Sequence, residues 1–381
     1  MKIEIITGSR AEYGILRNLI RKLKDTPELE TRVTVTGMHL ESKYGLTIND
    51  IKADEVEIYK TVDSNMENTS DAGIIDSFTL TMDGYKQHFI ADRPDAILIL
   101  GDRFEIFAVA IVASLLRIPI IHLHGGEKTE GNYDEFIRHS ISKMSTFHFA
   151  ASDEFANRLI QLGEQPKRVR NVGALGVENV KNEPKLTTAE VSEIVNLDLE
   201  QDKYFVVAYH PETLVNDENQ NSTLLEVLKP MLGEYKFVFI GSNADTAADS
   251  IMNLTKEFVQ SSDGNAVLVT SVPSNVYYSL IYNAKGFIGN SSSGLIEVPS
   301  LGKYTVNIGD RQKGRLRGNS VIDVVNTKEA ITAGINTLIE KSNEEIVNPY
   351  EQPETANTII NEIVQNIDLI MDIKKEFNDL A

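Results

Sequence analysis

Three serines stand in a row at positions 291–293, after the apolar run FIG and Asn290 and before Leu295, Ile296 and Val298. A strand that ends on small residues and opens a helix leaves hydroxyls and unsatisfied backbone N–H groups in one place. That is what a diphosphate needs. Glu297 falls on the first turns of this helix, where a carboxylate can accept from both hydroxyls of a ribose. The plainer alternative is a serine-capped helix with a surface glutamate. Residues 308–318, IGDRQKGRLRG, bring Arg311, Lys313, Arg315 and Arg317 together. They offer an anion a local positive field, or else form a solvated charge run. His210, in YHPET, closes another apolar run and can donate to a phosphate or a sugar oxygen.

A second group of residues suits proton transfer. In TGSRAEYG, residues 7–14, Gly8 permits a tight turn and Arg10 sits near the start of a helix. In LGDRFE, residues 100–105, Asp102 and Arg103 follow a buried run directly. Asp102 can cap the next helix or act as a general acid or base. Residues 121–139, IHLHGGEKTEGNYDEFIRH, hold His122, His124, Glu127, Asp134, Arg138 and His139. The spacing of two predicts His122 and His124 on one face of a strand. A metal, proton transfer, or a polar loop with satisfied histidines would each use such residues.

Every one of these motifs ends an apolar run. IEIIT (3–7), RVTVTG (32–37), AILIL (96–100) and IPIIHLH (118–124) read as strands, and 13–24 and 103–116 as helices. The pattern weakens over 163–185 and restarts. YFVVAYH (204–210), KFVFIG (236–241), AVLVT (266–270) and KGFIGN (285–290) are further strands. The alternation predicts an α/β fold of two Rossmann-like, doubly wound domains with a cleft between them. The expected boundaries are 1–170 for the first domain, with the proton-transfer groups, and 185–353 for the second, with the phosphate groups. One long helix over roughly 354–378, within 354–381, is expected to pack back on the first domain.

Composition narrows the function. At 381 residues the chain suits two domains of roughly 150–200 residues. A formal net charge of -19 repels nucleic acid and anionic membranes, so neither is expected as a partner. With no cysteine, disulfides, zinc–thiolate sites and thiol catalysis are excluded. The N-terminal residues lack the apolar core of a signal peptide, and the longest apolar tract, 106–121, is broken by Arg117. A cytoplasmic protein is expected. The P-loop, the GxGxxG dinucleotide fingerprint after the first strand and the GxSxG elbow are all absent from the sequence.

GSRAEYG, VTGMH, LGDRFE, HLHGGEKTEGNYDEFIRHSISKMS, FIGSNADT, GNSSSGLIEVPSLG and NIGDRQKGR, taken in order, resemble the hydrolysing UDP-N-acetylglucosamine 2-epimerases of bacterial sialic-acid and capsule synthesis. The resemblance runs from residue 3 to about residue 325. It implies a GT-B-like fold and elimination of UDP across C1–C2 of UDP-GlcNAc. Hydration of the resulting 2-acetamidoglucal then gives ManNAc and UDP. It implies no cofactor and no metal, and a homo-oligomer, dimer or tetramer. It assigns proton transfer to Asp102 and Asp134, with His124 or Glu127 expected to join them. It assigns nucleotide binding to His210, Ser291, Ser292, Glu297 and Arg311; Arg10 and Arg103 are expected to steady the leaving diphosphate, and Gly14 and Asn243 to line the same UDP-sugar site.

In one place the chain departs from some relatives. They read IEGGE where this chain has Leu123-His124-Gly125-Gly126-Glu127. The first Glu of that motif is a catalytic carboxylate there, so either His124 or Glu127 takes over its work. Another branch of the family has the same HGGEK form. The resemblance leaves room for a 2,4-diacetamido-2,4,6-trideoxy sugar as substrate. The residues leave room for a GT-B glycosyltransferase, a metal-dependent hydrolase on His122 and His124, or a non-catalytic UDP-sugar sensor.

Overall fold

The computed structural model describes residues 1–379 except 67, 69, 130–132, 211–219, 242–247, 270–271 and 342–344. The chain divides into two compact units. One comprises Met1–Lys128, Tyr133–Glu178 and Gln352–Ala381; the other is built on Asn179–Glu351.

The first unit holds seven parallel strands: β1 (Lys2–Thr7), β2 (Glu30–Thr36), β3 (Lys60–Val62), β4 (Ala96–Leu100), β5 (Ile120–Leu123), β6 (Phe147–Ala150) and β7 (Val169–Asn171). Their order is β3-β2-β1-β4-β5-β6-β7. Helices α1 (Arg10–Lys24), α2 (Ile48–Ala53), α3 (Asp71–Ala91), α4 (Phe104–Leu115), α5 (Asp134–Met144) and α6 (Asp153–Gln161) lie among them. The chain winds outward from β1 to β3, then returns to place β4 beside β1. That reversal makes a switch point, where loops diverge and leave a crevice at the carboxyl ends of the strands.

Local sequence explains the parts that flank this crevice. β4 is apolar throughout and buried on both faces, as a central parallel strand must be. α1 starts because the Ser9 hydroxyl accepts the Glu12 N–H, and its Leu16, Leu19, Ile20 and Leu23 stripe is buried. α4 is apolar on nearly every side because it lies between the sheet core and the helices α3 and α5. Within β1, Glu4 is fully buried. It accepts from the Thr34 hydroxyl at 2.7 Å and lies 2.8 Å from His88 Nε2.

Helix α7 (Leu175–Asn182) carries the chain into the second unit. Six parallel strands follow: β8 (Tyr204–Ala208), β9 (Lys236–Ile240), β10 (Ala266–Val269), β11 (Gly286–Gly289), β12 (Thr305–Ile308) and β13 (Val321–Val324). Their order, β10-β9-β8-β11-β12-β13, puts the switch point between β8 and β11. Helices α8 (Thr188–Val195), α9 (Gln220–Leu228), α10 (Ala248–Gln260), α11 (Ser274–Asn283), α12 (Ser293–Ile296) and α13 (Lys328–Glu340) complete it.

The C-terminal segment differs from the single long helix expected. It forms α14 (Thr355–Gln365) and the short α15 (Ile367–Met371), followed by non-helical chain. The break falls at Asn366, which leaves helical geometry and whose side chain donates back to the Glu362 carbonyl at 2.8 Å. Ala356, Ile359 and Ile363 of α14 share one core with the Leu16–Leu23 stripe of α1. Among the described residues no helix is long and apolar enough to cross a membrane.

Candidate active site

At the β1–β4 switch point the structure gathers most of the residues suited to proton transfer. Asp102 does not cap α4. The cap position belongs to Arg103, whose side chain makes no capping bond. Asp102 instead accepts a charge-assisted hydrogen bond from Arg138 Nη2. Arg138 is buried, and its Nη1 donates to the Glu127 carbonyl and to Glu135 Oε2, both at 3.0 Å. One guanidinium therefore ties together the loop after β4, the loop after β5 and the first turn of α5.

The two histidines do not share a face as the spacing predicts. β5 ends at Leu123, and His124 has φ 62, in the left-handed region that a side chain with a Cβ rarely adopts. This takes His124 out of the strand's alternation. His122 is fully buried, with Nε2 2.8 Å from the Gly101 carbonyl and Nδ1 3.1 Å from the Ser142 hydroxyl. A carbonyl can only accept, so Nε2 carries the proton and the ring spans the loop that bears Asp102. Burial lowers the His122 pKa to about 3, so this ring stays neutral and does not shuttle protons.

His124 Nδ1 lies 2.9 Å from Glu127 Oε1, while its Nε2 has no hydrogen-bond partner among the described residues. The turn that allows this pair is tightly held. Gly126 has φ 80 and lies against the Phe155 carbonyl, which leaves no room for a Cβ. Arg158 Nη1 donates to the Gly126 carbonyl at 2.6 Å. Asp134 is the first residue of α5, and its charge acts on Arg103. Arg10 opens α1 and Gly14 lies half-buried in its second turn.

Two carboxylates not expected from the sequence stand beside Arg103. Glu105, fully buried in the first turn of α4, accepts from Arg103 Nε. Glu12, buried in the first turn of α1, accepts the Gly8 N–H at 2.6 Å and lies 4.0 Å from Arg103 Nε. The signal for Glu12 was present as S-x-x-E over residues 9–12. His39 bridges the Thr7 and Thr47 hydroxyls at 3.0 and 2.8 Å, and burial lowers its pKa to about 4.

The second unit's switch point is organised by Asn290, which is fully buried and was not singled out from the sequence. Its Oδ1 accepts the His210 N–H at 2.7 Å and its Nδ2 donates to the His210 carbonyl at 2.8 Å. Its own carbonyl accepts from Arg311 Nη1 at 3.0 Å and Gln312 Nε2 at 2.9 Å. Asn290 thus clasps the ends of β8 and β11 and fixes the base of the Arg311 loop. Gly289, with φ 142, is pressed against Ala208 so closely that only glycine fits. Burial and then the Arg311 charge lower the His210 pKa to about 3.

The serine segment also differs from expectation. α12 is a single turn of four residues with Ser292 at its cap position, and Ser291 immediately before it. Glu297 does not lie on its first turns; it closes α12 and opens a 3-10 turn, Val298–Leu301, into which Pro299 forces the chain. So short a helix has little dipole, and the local N–H and hydroxyl donors must carry any anion. Ser293 bonds Tyr277, and Glu297 faces Tyr277 and Tyr278. The basic run is partly paired: Arg317 lies 3.3 Å from Asp323 and Lys313 3.8 Å from Asp310. Asn243 lies outside the described residues. Among the described residues no group of three or more His, Asp and Glu is arranged to hold a metal ion.

The comparison with known proteins fits two such switch points in one chain. Polysialic acid biosynthesis protein P7 of Escherichia coli is 45% identical, over 99% of this chain and 96% of its own. A Campylobacter jejuni protein named GDP/UDP-N,N'-diacetylbacillosamine 2-epimerase (hydrolyzing) is 36% identical, over 100% of this chain and 99% of its own. The crystal structure of UDP-GlcNAc 2-epimerase from Neisseria meningitidis bound to UDP-GlcNAc superposes with TM-score 0.80 at 19% identity, covering 96% of this chain and 100% of that one. That likeness shows the fold, two Rossmann-like units of the GT-B-like class. The profile described as UDP-N-acetylglucosamine 2-epimerase matches residues 21–364. With its fold and nearly its full length in common with these proteins, the chain belongs to the UDP-N-acetylglucosamine 2-epimerase family.

Proposed function

We propose that the protein hydrolyses UDP-N-acetylglucosamine with inversion at C2, releasing ManNAc and UDP for sialic-acid synthesis in the cytoplasm, as a homo-oligomer. The observation that carries this reading is a pair of separately held proton-transfer groups in the first unit. Asp102 is oriented by Arg138, and His124 by Glu127. Elimination followed by hydration needs two such groups. The Campylobacter jejuni relative, named as a hydrolysing 2-epimerase, supports the hydrolytic outcome.

In this reading one group takes the proton from C2, the C2–H electrons form the C1=C2 bond, and the C1–O bond breaks toward UDP. Water then gives its hydroxyl to C1, and C2 receives a proton on the opposite face. With Nδ1–H donating to Glu127, His124 keeps its Nε2 lone pair for this work, and Glu127 acts by orienting the ring. Asp102 is the second group, with Asp134 near Arg103. Arg10, Gly14, Arg103, His210, Asn243, Ser291, Ser292, Glu297 and Arg311 bind the UDP-sugar. The reaction is redox-neutral and calls for no nicotinamide.

A second reading keeps the chemistry and changes the sugar to a UDP-2,4-diacetamido-2,4,6-trideoxyhexose, favoured by the name of the same relative. Incubation with UDP-GlcNAc in D2O, followed by NMR, tests both. Free ManNAc deuterated at C2, with UDP, is the expected product, at full rate after EDTA treatment. UDP-ManNAc alone would sink the hydrolytic step. A higher kcat/KM on the diacetamido sugar would decide for the second reading, and transfer to an acceptor would make the protein a glycosyltransferase.

A further inference from the structure

Glu12 and Glu105 belong to none of the proton-transfer roles above, yet both are buried at the switch point. They enter from the first turns of α1 and α4, helices that pack on opposite faces of the sheet. Arg103 Nε bonds Glu105 Oε1 and lies 4.0 Å from Glu12 Oε1. The other anchor is the Gly8 N–H, 2.6 Å from Glu12 Oε2. Glu12 Oε1 and Glu105 Oε2 are buried with no hydrogen-bond partner among the described residues. The space for Glu105 is made by two glycines. A Cβ on Gly8 would come 2.9 Å from Glu105 Oε1, and one on Gly37 3.3 Å from the same oxygen.

Two buried carboxylates facing one guanidinium, with two of four oxygens unbonded, are over-supplied with negative charge. Such pairs give up one charge by keeping a proton. We propose that Glu12 and Glu105 form a carboxyl–carboxylate pair carrying a single proton, which positions the Arg103 guanidinium and keeps this cluster neutral toward an anionic substrate. The charged and titratable surroundings agree. Burial and then Glu105 raise the Glu12 pKa, Arg103 and the Gly8 N–H oppose that rise, and Asp102 adds to it. Tyr85 on α3 faces both carboxylates, and Tyr44 and His39 face Arg103 from the loop after β2. Asp134 on α5 faces Arg103 as well. Glu12 and Glu105 are positioning residues, acting through Arg103.

The substrate half of the proposal rests on the nucleotide-sugar reading; the protonation half does not, and the test separates them. Thermal unfolding of wild type and Glu12→Gln is measured from about pH 5 to about pH 9. A carboxyl whose folded pKa lies above its unfolded value binds more protons folded than unfolded, so it makes wild-type stability fall as pH rises between the two values. Glutamine has no such proton. The Tm of Glu12→Gln minus that of wild type is therefore expected to rise by several degrees across the range. A difference that stays constant, or shrinks as pH rises, overturns the pair. The second measurement is kcat/KM on UDP-GlcNAc over the same range. Wild type is expected to lose about tenfold on the alkaline side as the shared proton leaves, and Glu12→Gln to lose that dependence. Glu12→Ala falls at every pH, and Glu12→Gln recovers most of that fall. A wild-type-like alkaline limb in Glu12→Gln overturns the role toward substrate while leaving the proton pair standing. No cleavage by wild type removes the nucleotide-sugar reading and the substrate half with it, and leaves the Tm result to decide the rest.

Discussion

The ends of β1 and β4 in the first unit and of β8 and β11 in the second occupy the same topological place, the switch point of a doubly wound sheet. They are filled in opposite ways. Around the first stand Glu12, Asp102, Glu105, Glu127, Asp134 and Glu135 with Arg103 and Arg138, mostly interlocked by charged hydrogen bonds. Around the second a neutral asparagine is the hub, bonded to backbone and to Arg311 and Gln312, beside a histidine that burial keeps neutral. The same frame thus supports one site rich in groups that exchange protons and one built of fixed donors. Chemistry in the first and holding in the second is the division these fillings suit.

The sharpest way to break that division is Asp102→Asn. The amide keeps the size and an acceptor for Arg138, so the loop is retained while the proton-transfer group is lost. A fall in kcat of about 10³ is expected, with the Kd for UDP changed by no more than about twofold. Stopped assays and calorimetry with UDP measure the two. A parallel loss of UDP affinity would mean that Asp102 itself helps to hold the nucleotide.

Next in size is the histidine pair. His124→Gln is expected to lower kcat by about 10², and Glu127→Gln by about tenfold, because the second change leaves the ring in place and removes only its orienting charge. His124→Glu supplies the carboxylate that some relatives carry at this position and should recover part of the loss. A larger effect from Glu127→Gln than from His124→Gln would transfer the proton to Glu127 itself.

Much of the frame was legible in the sequence, and the reasons for the gaps are physical. β1, β2, β4, β5 and β8 to β11 are apolar runs bounded by turn residues, and each lies where the pattern predicts. β6 is hidden because His148 interrupts a four-residue strand, and β3 and β7 because three-residue edge strands carry no period. α3 lacks a clear apolar stripe because Gly73, Ser77 and Thr81 lie among its buried residues. In the site, the motifs locate the loops and not the partners. Asp102 meets Arg138 across 36 residues and His210 meets Asn290 across 80. No local spacing encodes those pairs. The common face expected of His122 and His124 fails because periodicity assumes extended backbone, and His124 leaves it.

The second unit offers a smaller, complementary test in Asn290→Ala. Truncation strips the His210 N–H and carbonyl of their partners in a buried place, which costs about 1–3 kcal/mol of stability. It should raise KM about tenfold and leave kcat within about threefold, if this unit holds and does not react. Urea unfolding and steady-state kinetics together check it. A collapse of kcat at unchanged KM would place chemistry at the β8–β11 end and undo the comparison.

The smallest effect expected lies in acid stability, where the two switch points should behave alike in one respect and differently in another. Burial lowers the pKa of both His122 and His210 to about 3, against about 6.5 for a histidine in the unfolded chain. Between those values the unfolded chain binds more protons than the folded one. The stability that depends on neutral rings is therefore present above the unfolded pKa and is lost as pH falls toward the folded one. Replacing either histidine by glutamine should flatten this acid limb, seen as a Tm gap between about pH 5 and about pH 7 narrowed by a few degrees. Only His122→Gln should also lower kcat, by about fivefold, because its Nε2–H donates to the Gly101 carbonyl and steadies the loop that carries Asp102. His210→Gln should act on KM instead. If both variants moved kcat alike, neutral histidines at the two switch points would be doing the same work, and the division between a reacting unit and a holding unit would have to be given up.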